Sequence, residues 1–224
     1  MSSFIYALVF VVALSTFASA ELLIIANPLG QGKWGVLGSY LVDSSLQSGG
    51  FTGLSAVSIG GYAGYGITDK LDAYIQAGQM TLGSLPAIIT SSNVTAYGAI
   101  LKYGLIEEGT GSPVSVAFGV GTRVLTSNTT ALGVTTTSNG NQLMIGLGAS
   151  KVMIPFVPYG GLVYRKTDYA GSNSTQTDLT AGTAIAWSTQ GAVYVEYTLQ
   201  SINPGGGAST YTANQIGLGV GYKI

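Results

Sequence analysis

The sequence predicts an all-β fold, an up-and-down antiparallel transmembrane β-barrel of ten strands, with eight strands as the alternative, and three observations carry that expectation. The first is alternation: in Val57 to Gln79, residues Val57, Ile59, Gly61, Ala63, Tyr65 and Ile67 share one face, while Ser58, Gly60, Tyr62, Gly64 and Gly66 share the other. The second is composition, with 34 glycines and 46% hydrophobic residues beside only 8% charged ones, about a third of the charged share of an ordinary soluble domain. The third is the placement of the charges, which fall on the glycine-rich face and not on the branched and aromatic one.

Strand one is expected over Lys33 to Asp43, with Trp34, Val36, Tyr40 and Val42 on its apolar face. The Val57–Gln79 stretch supplies strands two and three, joined by a polar break at Thr68-Asp69-Lys70. Strand four spans Val94 to Ile106 and strand five Val114 to Leu125, where Val116, Phe118, Val120 and Val124 oppose Ser115, Gly119, Gly121 and Arg123. Strand six runs from Asn141 to Val152 and strand seven from Tyr159 to Tyr169. Asp178 to Trp187 and Ala192 to Gln200 form a hairpin, and Ala213 to Ile224 closes the chain. Strands of roughly 9 to 13 residues match a tilted bilayer crossing. Connections after strands two, four, six and eight read as tight turns, and the others as longer polar loops, with Thr126 to Gly140 the longest. Glu21 to Gly32 reads as a short periplasmic lead into the first strand.

In this register Lys33, Asp43, Asp72, Lys102, Arg123, Arg165, Glu196 and Lys223 share one side, which makes that side the lumen. A Lys or Arg facing lipid at mid-bilayer would cost about 2 to 4 kcal/mol, so the opposite assignment is far more expensive. Lys151 breaks the pattern beside a turn, within reach of the interface. Asp72 and Lys102 are expected within diagonal reach near the periplasmic end, and Lys33 and Lys223 low on the closing strand pair. These charges either form a paired network that plugs the barrel or line a polar path for small solutes. Tyr62, Tyr74 and Tyr194 share their side and have the size to fill it. Aromatic residues near the strand ends, among them Trp34, Tyr65, Tyr103, Phe118, Trp187 and Tyr222, are expected to form interfacial girdles.

Met1 to Ala20 has the form of a secretory signal, with an apolar run from Phe4 to Leu14 and a small-residue site Ala18-Ser19-Ala20, so cleavage is expected after Ala20 and residues 21–224 form the barrel. The chain then resembles the small outer-membrane β-barrel family that includes the barrel of outer membrane protein A and the opacity proteins. The residues that carry the resemblance are the Gly-Ile-Thr-Asp-Lys-Leu turn at Gly66 to Leu71 and the C-terminal strand from Gln215 to Ile224. In that strand Gln215, Gly217, Val220 and Tyr222 resemble the signal read by the barrel-assembly machinery. The chain departs from the family in ending on Ile224 where an aromatic is usual, and in its ten strands where those relatives have eight.

The resemblance implies a bacterial, Gram-negative outer-membrane location, with membrane lipid and the assembly machinery as partners. Histidine and cysteine are both absent, which removes the usual general base, the thiolate and the soft metal ligands, so no enzyme activity, cofactor or metal is expected. A net charge of -1 offers no field for nucleic acid. The expected function is a structural scaffold or a narrow porin-like passage. The alternative is an adhesin acting through its outer loops, Thr126 to Gly140 and Ser201 to Thr212.

Overall fold

A computed structural model describes residues 26–48, 51–109, 111–169, 172–205 and 208–224; the predicted signal sequence lies outside these. Ten strands follow one another: β1 (Trp34–Ser48), β2 (Phe51–Gly66), β3 (Leu71–Gly83), β4 (Ile89–Ile106), β5 (Ser115–Ala131), β6 (Val134–Ser150), β7 (Phe156–Tyr169), β8 (Ser172–Ala186), β9 (Gly191–Asn203) and β10 (Tyr211–Lys223). Each pairs antiparallel with its sequence neighbours, and β1 closes on β10 from Gly35↔Lys223 to Ser44↔Asn214. Closure removes the strand edges wherever all ten strands pair, so the ladder N–H and C=O groups there have partners without help from water, while residues 134–139 of β6 extend beyond β7 and pair with β5 alone.

The two faces divide as alternation requires. Phe118, Leu147 and Val220 are 40%, 49% and 51% exposed on the outside, whereas Arg123 and Glu196 are 1% and 2% exposed within. Trp34, Tyr65, Tyr103, Phe118, Phe156, Trp187 and Tyr222 are all exposed and ring the end that carries both described termini. This is the outward apolar band with an aromatic girdle that suits a bilayer. Among the described residues no helix is long and apolar enough to cross a membrane, and the long elements are all strands.

Three expectations are corrected. The strands are 13 to 18 residues long, longer than the alternation of apolar residues suggested. Thr126 to Gly140 is no loop: β5 and β6 stay paired from Ser115↔Ser150 to Ala131↔Val134 and turn through Leu132 and Gly133 alone. Both turn residues have positive φ, 51° and 77°, the backbone of a two-residue primed hairpin turn. Short and long connections therefore do not alternate, since the link from β4 to β5, residues 107–114, is longer than this one. The apolar outer face ends near Val124 and Leu143, yet the ladder continues, so apolar alternation marks only the part of each strand inside that band.

Beyond that line the outer face turns polar, and the inner face mixes an apolar cluster with buried hydroxyls such as Ser92, Ser127 and Thr129. Outward pairs Thr126–Asn139, Asn128–Thr137 and Thr130–Thr135 are joined by side-chain hydrogen bonds of 2.9, 2.7 and 2.9 Å. Inward, Leu46, Leu54, Met80, Leu82, Ile89, Val94, Leu125, Ile202 and Ala213 form a buried apolar cluster. One set of strands thus serves as a membrane barrel at the end with the termini and as a water-facing barrel at the far end.

Candidate functional site

The lumen is built in layers. At the far end lies the apolar cluster just described, closed by Tyr169, whose hydroxyl donates to the Ser138 carbonyl at 2.9 Å. Next comes a charged belt. Asp43 Oδ1 accepts from the amide nitrogens of Gln215 at 2.8 Å and Gln200 at 3.1 Å. Arg165 pairs with Asp178 at 2.8 Å, and Gln176 donates to the same aspartate at 2.7 Å. Arg123 donates to the Met144 sulfur at 2.9 Å, and Glu196 accepts from the Tyr159 hydroxyl at 3.2 Å. All of these charged groups are buried.

A second apolar layer follows, formed by Leu41, Tyr62, Tyr74, Ile100, Met144, Tyr159, Val163 and Tyr194. Tyrosines fit here because glycines face them across the ladder: Gly64 opposes Tyr74, Gly182 opposes Tyr159 and Gly219 opposes Tyr194. Added Cβ atoms at these glycines would run into the rings. The three phenols also find partners, since Tyr74 donates to Asp72 at 3.1 Å and Tyr194 to the Gly38 carbonyl at 3.0 Å. Burying a ring with its hydroxyl satisfied keeps the apolar gain without an orphaned polar group.

At the mouth near the termini, Asp72 and Lys102 form an ion pair of 3.4 Å. They stand directly opposite each other on β3 and β4, not diagonally as expected. Asp72 also accepts the Leu29 N–H at 3.0 and 3.1 Å, and Lys102 donates to the Asn27 carbonyl at 3.2 Å. Ala26 is fully buried and donates its N–H to Ser150 at 3.2 Å. Residues 26–29 are therefore part of the lumen filling, a correction to the expectation that this stretch is only a lead into β1. Between them and the wall lies a cavity of about 180 Å³, lined by Leu29, Leu37, Tyr62, Tyr74, Lys102 and Lys223 among others.

Of the eight charges expected in the lumen, Asp43, Asp72, Lys102, Arg123, Arg165 and Glu196 are buried there, and Lys223 is half-buried at the mouth. Lys33 is not: it is exposed in the turn before β1. Gly30 and Gly32 both take positive φ, and the Gly66 N–H donates to the Lys33 carbonyl at 2.9 Å, so the strand alternation begins only at Trp34. Asp178 was missed as a lumen charge, although alternation places it on the side of Thr180, Gly182 and Ala184. The residues expected to carry an assembly signal lie on β10, where Gln215 opposes Asp43, Gly217 opposes Leu41, Val220 opposes Gly38 and Tyr222 opposes Val36.

Closed antiparallel topology, an apolar outer band and a polar, filled lumen are now all in place. The chain has the fold of an outer-membrane β-barrel. No family model matches it, and neither does any curated protein. Among solved structures, the β domain of the Bordetella autotransporter BrkA is similar over 87% of this chain and 100% of that one, with 14% identity and a TM-score of 0.51. The translocator domain of the autotransporter NalP from Neisseria meningitidis is similar over 86% and 88%, with 13% identity and a TM-score of 0.51. Neisserial surface protein A is similar over 86% and 96%, with 15% identity and a TM-score of 0.44. At such identities the likeness concerns the barrel alone.

Proposed function

We propose that the protein is an integral barrel of the bacterial outer membrane with a closed lumen, a scaffold that holds the polar far end of its strands outside the bilayer. The observation that carries this is the pair of apolar layers lying on either side of the charged belt. A solute following the lumen would leave the belt for a fully buried layer built around Leu46, Met80 and Ile202, whose polar groups are hydroxyls such as Ser92, Ser127 and Thr129 and carry no charge. This favours a scaffold over a narrow passage. An even strand count returns both ends of the barrel to one side, the periplasm in this reading, with the Thr/Asn ladder outside. Membrane lipid is the partner of the apolar band, and the assembly machinery is the partner of β10 through Gln215, Gly217, Val220 and Tyr222. No catalysis is proposed, because the chain carries neither histidine nor cysteine.

Planar-bilayer conductance of the refolded protein tests the proposal: a flat trace is expected, and reproducible single-channel steps would make the barrel a passage. Surface binding is a second reading, favoured by the hydrogen-bonded outer pairs of β5 and β6. It requires that cells displaying the protein adhere to a surface and lose that adhesion when Asn128 and Thr137 become alanine.

A further inference from the structure

The charged belt does not balance. Among the described residues it contains three buried carboxylates, Asp43, Asp178 and Glu196, against two buried guanidinium groups, Arg123 and Arg165. One negative charge is left over, enclosed by apolar layers along the barrel axis and by the apolar outer band around it. Lys223 does not supply the missing charge, since β10 carries it to the mouth, eight residues from the Gln215 that touches Asp43, about 26 Å along an extended strand.

The surplus localises at Asp43. Arg165 is engaged with Asp178, whereas both partners of Asp43 Oδ1 are neutral amides. The second oxygen, Asp43 Oδ2, is buried with no hydrogen-bond partner, and so are two oxygens that face the lumen from other strands. Gln200 Oε1 belongs to an amide whose nitrogen is already fixed on Asp43. Ser58 Oγ projects into the lumen from β2, one inward position from Ala56, which faces Asp43 across the ladder. Strands β1, β2 and β9 thus carry a carboxylate, an amide carbonyl and a hydroxyl on the inner wall at neighbouring levels, all fully or almost fully buried and all lacking partners.

Hard oxygen donors of this kind suit a hard cation. The charge selects its valence: a monovalent ion neutralises the belt, while a divalent one would reverse the imbalance. We propose that the barrel binds one alkali cation, of the sodium or potassium class, between Asp43 Oδ2, Gln200 Oε1 and Ser58 Oγ, as a structural ion of the lumen. Water at the same place would satisfy the oxygens and leave the charge.

Thermal unfolding of the full-length mature protein in detergent, at constant ionic strength, reads the site directly. Sodium, potassium and choline chlorides are exchanged for one another, and bound alkali metal is counted by atomic emission after desalting into choline buffer. The expected result is a higher midpoint with at least one alkali ion than with choline, rising by roughly 3–5 °C per tenfold increase in that ion above its dissociation constant. Close to one bound ion per chain is expected, and Asp43→Asn should abolish both effects. Identical midpoints in the three salts together with no retained metal would overturn the proposal, as would a midpoint that follows pH and ignores the cation, which means that Asp43 carries a proton instead. The salt comparison on the unaltered protein stands even if Asp43→Asn fails to fold, and Gln200→Met then serves as the weakened-site variant.

Discussion

Tyr194 on β9 lies directly across from Gly219 on β10, and a Cβ at position 219 would coincide with the tyrosine hydroxyl. The same relation recurs at Gly64 with Tyr74, Gly182 with Tyr159 and Gly140 with Tyr169. Glycine in this lumen is therefore the space into which a neighbouring ring folds. Gly219→Ala is expected to destabilise the barrel by about 1–3 kcal/mol through overpacking. Denaturant unfolding in lipid vesicles measures it, and a second change, Tyr194→Val, should remove most of the penalty added by the alanine. Additive losses would show that ring and glycine are independent.

The Asp72–Lys102 pair closes the mouth and holds the backbone of residues 27 and 29. Lys102→Met leaves a buried carboxylate supported only by the Leu29 N–H and the Tyr74 hydroxyl, at an expected cost of about 3 kcal/mol. The double variant Asp72→Leu/Lys102→Met should be much closer to the parent, because neither charge is then stranded. Protease protection of the chain around Ala26 should fall in the single variant more than in the double one.

Strand β6 carries both solvents on one face. Ile145, outward and 40% exposed, lies within the apolar band, whereas Asn139 belongs to the polar ladder. Ile145→Arg is expected to cost about 2–4 kcal/mol, and Asn139→Arg close to nothing. Equal costs at the two positions in unfolding titrations would erase the boundary placed between Leu143 and Asn141.

The hairpin tip between β5 and β6 contains a non-glycine residue with positive φ, Leu132 at 51°, and its side chain is 59% exposed. Asparagine tolerates this backbone better than leucine and loses no packing here, so Leu132→Asn should stabilise the protein by about 0.5–1 kcal/mol. The Leu132 N–H donates to the Ile88 carbonyl at 3.1 Å, so a proline at this position should lower the unfolding midpoint.

Much of this architecture is legible in the chain because a strand displays its environment every second residue. Lys102, Arg123, Arg165 and Glu196 could be assigned to the interior by parity with neighbouring glycines, with no knowledge of what they touch. Parity failed at Lys33, where two positive-φ glycines delay the strand, and it was not applied to Asp178, which stood at the edge of a predicted element.

By itself the sequence determined that ten strands alternate, that the branched and aromatic side faces lipid and that the ionisable side faces inward, since each of these is a local consequence of the two-residue period. Only the tertiary structure decided that the ladder runs on past the apolar band, that residues 26–29 enter the mouth, and that Asp178 forms an ion pair with Arg165 while Asp43 is held by two neutral amides. The first and third follow from the lengths and registers of the β5–β6 and β7–β8 hairpins, whereas the contacts of Asp43 depend on the register at which β1 meets β10 and on the resulting stagger of the strands. No local pattern encodes that stagger, because it is set by closure of the whole ring.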